Sequence, residues 1–118
     1  MNIEELHEYC LSRKGATACF PFDEVTLVFK VQGKMFALIP LDDPELQIAL
    51  KCDPEKSVQL RDQYNEISPA RHFSKKYWNS VRITSSISRK LLEELINHSY
   101  DLVVAKLPRK LKEELCGL

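Results

Sequence analysis

The stretch "TLVFKVQGKMFALI", residues 26–39, decides the fold. Apolar and polar side chains alternate on both sides of a central Gln-Gly pair. This is the pattern of two antiparallel strands joined by a two-residue turn. We therefore predict a hairpin with strands over residues 25–31 and 34–41.

The two faces of this hairpin carry different side chains. With the turn at Gln-Gly, Phe29 lies opposite Phe36 and Leu27 lies opposite Leu38, which defines the face that packs into the core. A register error of one residue would exchange the faces. The other face is expected to carry Thr26, Val28, Lys30, Met35, Ala37 and Ile39.

Two further segments have the alternation of strands. "LQIALKC", residues 46–52, points Leu46, Ile48 and Leu50 inward if it continues the meander. "KYWNSVRIT", residues 76–84, points Val81 and Ile83 inward. The outward residues of these two strands are then Gln47, Ala49, Lys51, Trp78, Ser80, Arg82 and Thr84.

Capping residues and a 3.6-residue apolar period predict four helices. The first is capped by Asn2 and ended by Gly15, and the second starts after Asp53 with a proline at its first position. The longest lies within residues 85–107, and Pro108 separates it from a short terminal helix.

This order of elements predicts a two-layer α+β fold. Helices connected to an antiparallel meander pack on one of its faces. We expect one antiparallel sheet, with the helices on one side, in the order α-β(3-4)-α-β(1-2)-α-α, and residues 1–118 as a single domain. The other face of the sheet is then left to solvent or to a partner.

Composition narrows the class of protein. Apolar residues make up 44% and charged residues 29%, as in ordinary soluble proteins. The chain lacks an apolar run of about 20 residues, the length that crosses a bilayer. The N-terminal residues lack the basic and apolar regions of a secretory signal. We therefore expect a cytoplasmic protein without membrane contact.

The sequence lacks the spacing of common metal and cofactor motifs. The four cysteines are not arranged as zinc ligands, and the three glycines are isolated, which excludes a glycine-rich phosphate loop. Cys10 and Cys52 fall on faces that we predict to be core. We expect no metal site and no cofactor.

Charge is distributed unevenly although the formal net charge is zero. Residues 1–66 hold 7 Lys/Arg against 12 Asp/Glu, whereas residues 67–118 hold 10 against 5. The segment "RHFSKKYWNSVRI", residues 71–83, gathers basic side chains around the single tryptophan without a carboxylate. A local positive field is therefore expected here.

Positive groups beside an aromatic plane suit a phosphate backbone with stacked bases. We expect lysines and arginines to neutralise phosphates, Trp78 to stack or wedge, and Asn79 to fix the local loop or touch a base. The candidate nucleic-acid-binding residues are Lys30, Lys51, Arg71, His72, Lys75, Lys76, Trp78, Asn79 and Arg82.

Two alternatives remain open. The same sheet face, with Met35 and Ile39, is also suited to a protein partner or a homodimer, or the tryptophan is simply part of the core.

His98 and Asp101 lie three residues apart on the long helix, with Tyr100 between them. A catalytic dyad needs a third group and a pocket, so a structural pair is the better interpretation and no catalytic residue is assigned.

Several segments together resemble the MmcQ/YjbR family of small bacterial proteins. These are "FPF", "LVFKVQGKMFAL", "LKCDPE", "HFSKKYWNSV" and "LLEELINHSYDLVVAKLPRK". The resemblance extends over nearly the whole chain. It implies a CyaY-like fold and a double-wing type of DNA-binding domain, in a family whose cellular role is largely unassigned.

The resemblance falls on particular residues of this chain. Ser74, Tyr77 and Ser80 depart from the Asn, His and Thr that the family commonly shows, which argues against a mechanism using an imidazole at position 77. The Lys, Trp and Asn cluster is retained. The matching residues are His72, Lys75, Lys76, Trp78, Asn79, Ser99, Tyr100, Lys106 and Pro108.

Overall fold

The computed structural model describes residues 1–71 and 73–118 and confirms the α+β fold. One antiparallel sheet has the strand order β1-β2-β3-β4-β6-β5. Four strands precede the second helix and two follow it, as predicted, although the edge strand β1 was not located from the sequence. The elements are α1 (Ile3–Leu11), β1 (Ala16–Cys19), β2 (Thr26–Val31), β3 (Lys34–Pro40), β4 (Gln47–Lys51), α2 (Pro54–Gln63), β5 (Ile67–Pro69), β6 (Trp78–Arg82), α3 (Arg89–Ala105) and α4 (Arg109–Cys116).

Local hydrogen bonds start α1, α2 and α3 where the sequence predicts. The Asn2 side chain accepts from the backbone N–H of Glu5, and the Glu5 carboxylate accepts from the backbone N–H of Asn2. At α2 and α3 the side chains of Asp53 and Ser88 accept hydrogen bonds from backbone N–H groups of the first turn. Because these bonds satisfy N–H groups that the helices leave free, the helix starts depend on neighbouring residues alone.

All four helices pack on one face of the sheet, which we call the helix-covered face. Phe29, Ile48 and Val81 of the strands are buried there together with residues from every helix. The opposite, helix-free face holds a second and smaller apolar cluster that contains only sheet and loop residues. The predicted two-layer arrangement is therefore confirmed.

A β-bulge in β3 corrects the predicted facing of part of this strand. Phe29 lies opposite Ala37, and Lys30 lies opposite Met35, so Phe36 is the extra residue between them. From Ala37 onward, each side chain of β3 therefore points to the face opposite to the one that we predicted from alternation. Leu38 therefore joins the helix-free face beside Val28, whereas Ala37 and Ile39 are fully buried on the helix-covered face. Ile39 is thus not part of a surface for a homodimer.

Ser99 of α3 ties the helix to the sheet beside this bulge. Its hydroxyl donates to the carbonyl of Phe36 at 2.6 Å and accepts from the backbone N–H of Lys51 at 2.9 Å. The hydroxyl therefore bridges β3 and β4 next to their paired residues, Ala37 with Leu50 and Leu38 with Ala49. This structural role accounts for a serine at a position that the family resemblance singles out.

Gly15 permits α4 to pack at the end of β2, and its replacement is a test of that packing. Gly15 has a φ of 72°, and a Cβ placed there would lie 2.6 Å from Cδ1 of the buried Leu115. We expect Gly15→Ala to lower the free energy of unfolding by roughly 2–3 kcal/mol, from backbone strain and displaced packing together. Urea unfolding followed by circular dichroism measures the change.

Gly33 provides the matched control for this substitution. Its φ of 79° is similar, but a Cβ there would meet nothing within 4 Å. Gly33→Ala should therefore cost only the backbone strain, about 1 kcal/mol. If the two variants lost the same free energy of unfolding, the contact with Leu115 would not be the reason why position 15 requires glycine.

Candidate nucleic-acid interface

Trp78 lies on the helix-free face, as predicted, but its indole is not an open platform. The side chain is only 8% exposed and packs in a cluster with Val28 and Leu38. The ring of Phe73 lies 5.4 Å from the indole, centroid to centroid, and Ala70 joins the same cluster. The loop between β5 and β6 therefore covers the indole, and the expectation of a bare platform is wrong.

This burial changes the roles expected of two candidate residues. A covered indole has no free face on which a base stacks, so the stacking role of Trp78 does not fit the structure. Asn79 is 2% exposed, and its Oδ1 accepts a hydrogen bond from Nε of Arg61 at 2.7 Å. Asn79 is thus placed to fix the loop and not to touch a base.

Arg61 of α2 connects this loop to the sheet. In addition to its bond to Asn79, its guanidinium donates to the carbonyl of Lys75. The loop then returns to β4 through the backbone N–H of Cys52, which donates to the carbonyl of Tyr77 at 2.7 Å. The basic loop is therefore held at defined points by charge-assisted and backbone hydrogen bonds.

Lysines from three separate elements lie near one end of the sheet, and two of them contact Tyr77. The ammonium groups of Lys76 and Lys106 lie 5.6 and 5.4 Å from the centroid of the Tyr77 ring. Lys51 is the register partner of Trp78, the residue after Tyr77. We call Lys51, Lys76 and Lys106 the basic corner; Lys75 adjoins it in the loop, where its carbonyl accepts from Arg61.

The electrostatics of Lys51 indicate that positive charge is crowded here. Partial burial is the main cause that lowers the pKa of Lys51, and the charge of Lys106 lowers it further. The ion pairs formed within residues 1–71 and 73–118 involve only Arg89 and Arg109 as cations. In this described part of the chain the lysines of the basic corner are not neutralised by a direct ion pair, which favours a bound anion.

The remaining candidate residues are dispersed. Lys30 lies on the helix-free face, two strands from β4, or about 10 Å at the usual strand spacing. Arg82 lies at the other end of β6, opposite Gln47, and donates to the carbonyl of Asn65. Arg71 lines a cleft described below, and His72 lies outside the described residues. The structure therefore brings together only part of the predicted set.

Lys106 of the basic corner and the neighbouring Tyr77 ring were missing from the predicted site. Lys106 follows the last turn of α3, and Tyr77 lies in the basic segment but was read as part of a strand. A lysine at a helix C-terminus is favoured by the helix dipole, so only the family resemblance singled out Lys106. Its proximity to Tyr77 depends on tertiary packing.

The helix-free face also contains a cleft that the sequence analysis missed. It has a volume of about 470 Å³ and lies at the end of the sheet opposite to the basic corner. Its floor is formed by Leu38, Ala49 and Ser80, and its wall includes three carboxylates, Asp23, Asp42 and Asp43, together with Arg71. We call it the acidic cleft. Its carboxylates lie in two turns that the hairpin brings to the same end of the sheet.

His98 has a structural contact and does not form a dyad with Asp101. Its Nε2 accepts a hydrogen bond from the backbone N–H of Asp53 at 3.2 Å, at the start of α2. Tyr100 is also used structurally, because its hydroxyl donates to the carbonyl of Lys14. The interpretation of His98 as a structural residue fits these contacts, although its partner is Asp53.

The protonation of His98 should make stability depend on pH. Burial and the nearby Lys56 lower its pKa below the ordinary value of 6.5. The folded state therefore binds this proton less readily than the unfolded state, and stability falls as pH drops from 6.5 towards the lowered pKa. Urea unfolding at about pH 7.5 and about pH 5 measures the loss.

His98→Gln is the matched control because its side-chain oxygen still accepts from Asp53. This variant should lose less stability between the two pH values than the parent protein. An identical pH dependence in parent and variant would contradict the assignment of the titration to His98.

Two further classes of site lack support in residues 1–71 and 73–118. The side chains of His, Cys, Asp and Glu there do not gather in a group of three that suits a metal ion. A helix of the length and apolar character needed to cross a bilayer is also absent from this described part of the chain.

Comparison with known sequences relates this chain to small bacterial proteins. Residues 11–102 match the profile of the YjbR family. The chain is 30% identical to the protein YjbR of Escherichia coli K12 over the full length of both. It is 38% identical to the protein YbdF of Escherichia coli O157:H7, with 93% of each chain covered. Both relatives are described as uncharacterized.

Solved structures share the same arrangement of helices and strands. The crystal structure of protein DR2400 from Deinococcus radiodurans, which contains a DUF419 domain, superposes with a TM-score of 0.90 and 34% identity, covering 97% of this chain and 87% of that one. A Pseudomonas syringae protein superposes with a TM-score of 0.75 and 25% identity, covering 86% and 98%. The backbone that carries the basic corner therefore belongs to a recurrent fold.

Proposed function

The chain belongs to the YjbR family, and from that premise we propose that it is a cytoplasmic DNA-binding module whose basic corner contacts the phosphate backbone. The observation that carries the proposal is that Lys76 and Lys106 lie against the Tyr77 ring while Lys51 is close enough to Lys106 for the two charges to interact. Three elements that are distant in sequence supply these ammonium groups.

The chemistry of the corner is suited to phosphate groups. Lysine ammonium groups are compact charges that bind phosphate without a fixed geometry. An anion near Lys51 would offset both the burial and the repulsion from Lys106 that lower its pKa. Such contacts neutralise the backbone and do not read bases, so the binding we propose is independent of sequence.

The position of the basic corner limits the number of DNA phosphate groups that the protein contacts. The acidic cleft at the other end of the helix-free face would repel phosphate groups. Arg82 is directed to the carbonyl of Asn65 at that same end. We therefore expect about three phosphate contacts, which corresponds to a slope of about −3 in log Kobs against log salt concentration.

Fluorescence anisotropy with a labelled duplex of about 16 base pairs tests this proposal between about 20 and about 150 mM NaCl. We expect binding at low salt that weakens with that slope, and similar affinity for duplexes of unrelated sequence. The absence of any anisotropy change at low salt, with protein at tens of micromolar, would reject the proposed function.

A further inference from the structure

The acidic cleft is a concave surface that phosphate binding leaves unused. Its volume of about 470 Å³ lies within the range of about 300–1,000 Å³ that is usual for ligand sites. The floor residues Leu38, Ala49 and Ser80 belong to the three central neighbouring strands β3, β4 and β6. The base of the cleft is therefore a rigid part of the fold.

Along one side of the cleft, hydrogen bonds hold the polar side chains in place. Ser80 donates to Oε1 of Gln47, and Nε2 of Gln47 donates to Asp43, each at 2.5 Å. Asp23 accepts from two backbone N–H groups of its own turn, which lowers its pKa. Asp42 is exposed and forms no side-chain hydrogen bond within the described residues. Arg71 also lines the cleft, but the three carboxylates outnumber it, so the lining carries an excess of negative charge.

The surface beside the cleft is apolar. Phe22 is 60% exposed and Leu41 is 45% exposed, although large apolar side chains are usually covered. The backbone N–H of Leu41 donates to the carbonyl of Val25 at 2.7 Å, which ties the two turns together. Val25 is also exposed and lines the cleft. Exposed apolar groups around a concave site are typical of a surface that binds another protein.

We propose that the acidic cleft binds a short segment of a partner protein in which a lysine or arginine is flanked by apolar residues. The cationic group lies against Asp42 and Asp43, and the apolar side chains lie on Leu38, Ala49 and Phe22. Because three carboxylates face a single arginine in the lining, the charge favours a cationic segment over a polyanion. The exposed apolar rim extends the contact beyond what a small inorganic cation would use. This site is separate from the basic corner.

The test is a titration of ¹⁵N-labelled protein with the peptide acetyl-Leu-Lys-Phe-Arg-Leu-amide, followed by amide chemical shifts. We expect shifts at Gln47, Ala49 and Ser80, and none with a peptide in which both basic residues are glutamate. The variant Asp42→Lys should bind the basic peptide at least about tenfold more weakly. Glu94→Lys, which changes an exposed acid on α3, should bind it like the parent protein.

Several outcomes would overturn this proposal. They are the absence of shifts at about 1 mM peptide, equal shifts with the acidic peptide, and unchanged binding by Asp42→Lys. Analytical ultracentrifugation tests whether a second copy of this chain occupies the cleft instead. A dimer that forms through the cleft and dissociates in the Asp42→Lys variant would also reject the proposal. Peptide binding by Lys76→Glu should equal that of the parent protein, which separates this proposal from DNA binding.

Discussion

Replacing Trp78 with alanine should lower the free energy of unfolding by about 3–5 kcal/mol. The indole fills the small cluster on the helix-free face, between Val28, Leu38 and the ring of Phe73. Removal of the side chain leaves a cavity that β2 and β3 cannot close, because both strands are fixed in the sheet. Urea unfolding followed by circular dichroism measures the loss.

Phe22→Ala is the matched control for this aromatic truncation. Its side chain is largely exposed, so its removal should change stability by no more than about 0.5 kcal/mol. Trp78→Phe should remain folded and bind DNA with the affinity of the parent protein, because the covered indole makes no contact. A stable Trp78→Phe variant with much weaker DNA binding would restore a direct role for the indole.

Reversing two charges of the basic corner should remove most of the DNA affinity. We expect the double variant Lys76→Glu, Lys106→Glu to bind at least about 30-fold more weakly at low salt, with a salt slope smaller by about two. Both side chains are exposed at their charged ends and lie beside Tyr77, so the fold should persist. Fluorescence anisotropy over a range of salt concentrations measures both quantities.

The control for charge reversal changes the net charge equally at another place. Lys90→Glu with Lys110→Glu alters exposed residues at the start of α3 and in α4. This control should retain affinity within about threefold. An equal loss in both double variants would mean that overall charge, and not the corner, determines binding.

The fold was predictable because its signals are local. The side chains of Asn2 and Asp53 bond to backbone groups within three residues, and the Gln-Gly turn joins adjacent strands. The bulge at Phe36 was not predictable from alternation, because an extra residue changes the register without changing the pattern of residue types. Leu38 and Ile39 were consequently assigned to the wrong faces.

The candidate site was predictable only in part. Lys75, Lys76 and Trp78 are close together in the chain, so the sequence identified them as a group. The approach of Lys106 to Tyr77 and the packing of Phe73 on the indole require the path of the β5–β6 loop. That path is set by Arg61, whose contacts are 14 and 18 residues away in the chain.

Mapping amide shifts of ¹⁵N-labelled protein on addition of duplex DNA tests the central claim most directly. The account predicts that the largest shifts occur at Lys51, Lys76, Tyr77 and Lys106, and that Ala49 and Ser80 in the acidic cleft are unaffected. Largest shifts in the acidic cleft, or a spectrum unchanged at low salt, would contradict it.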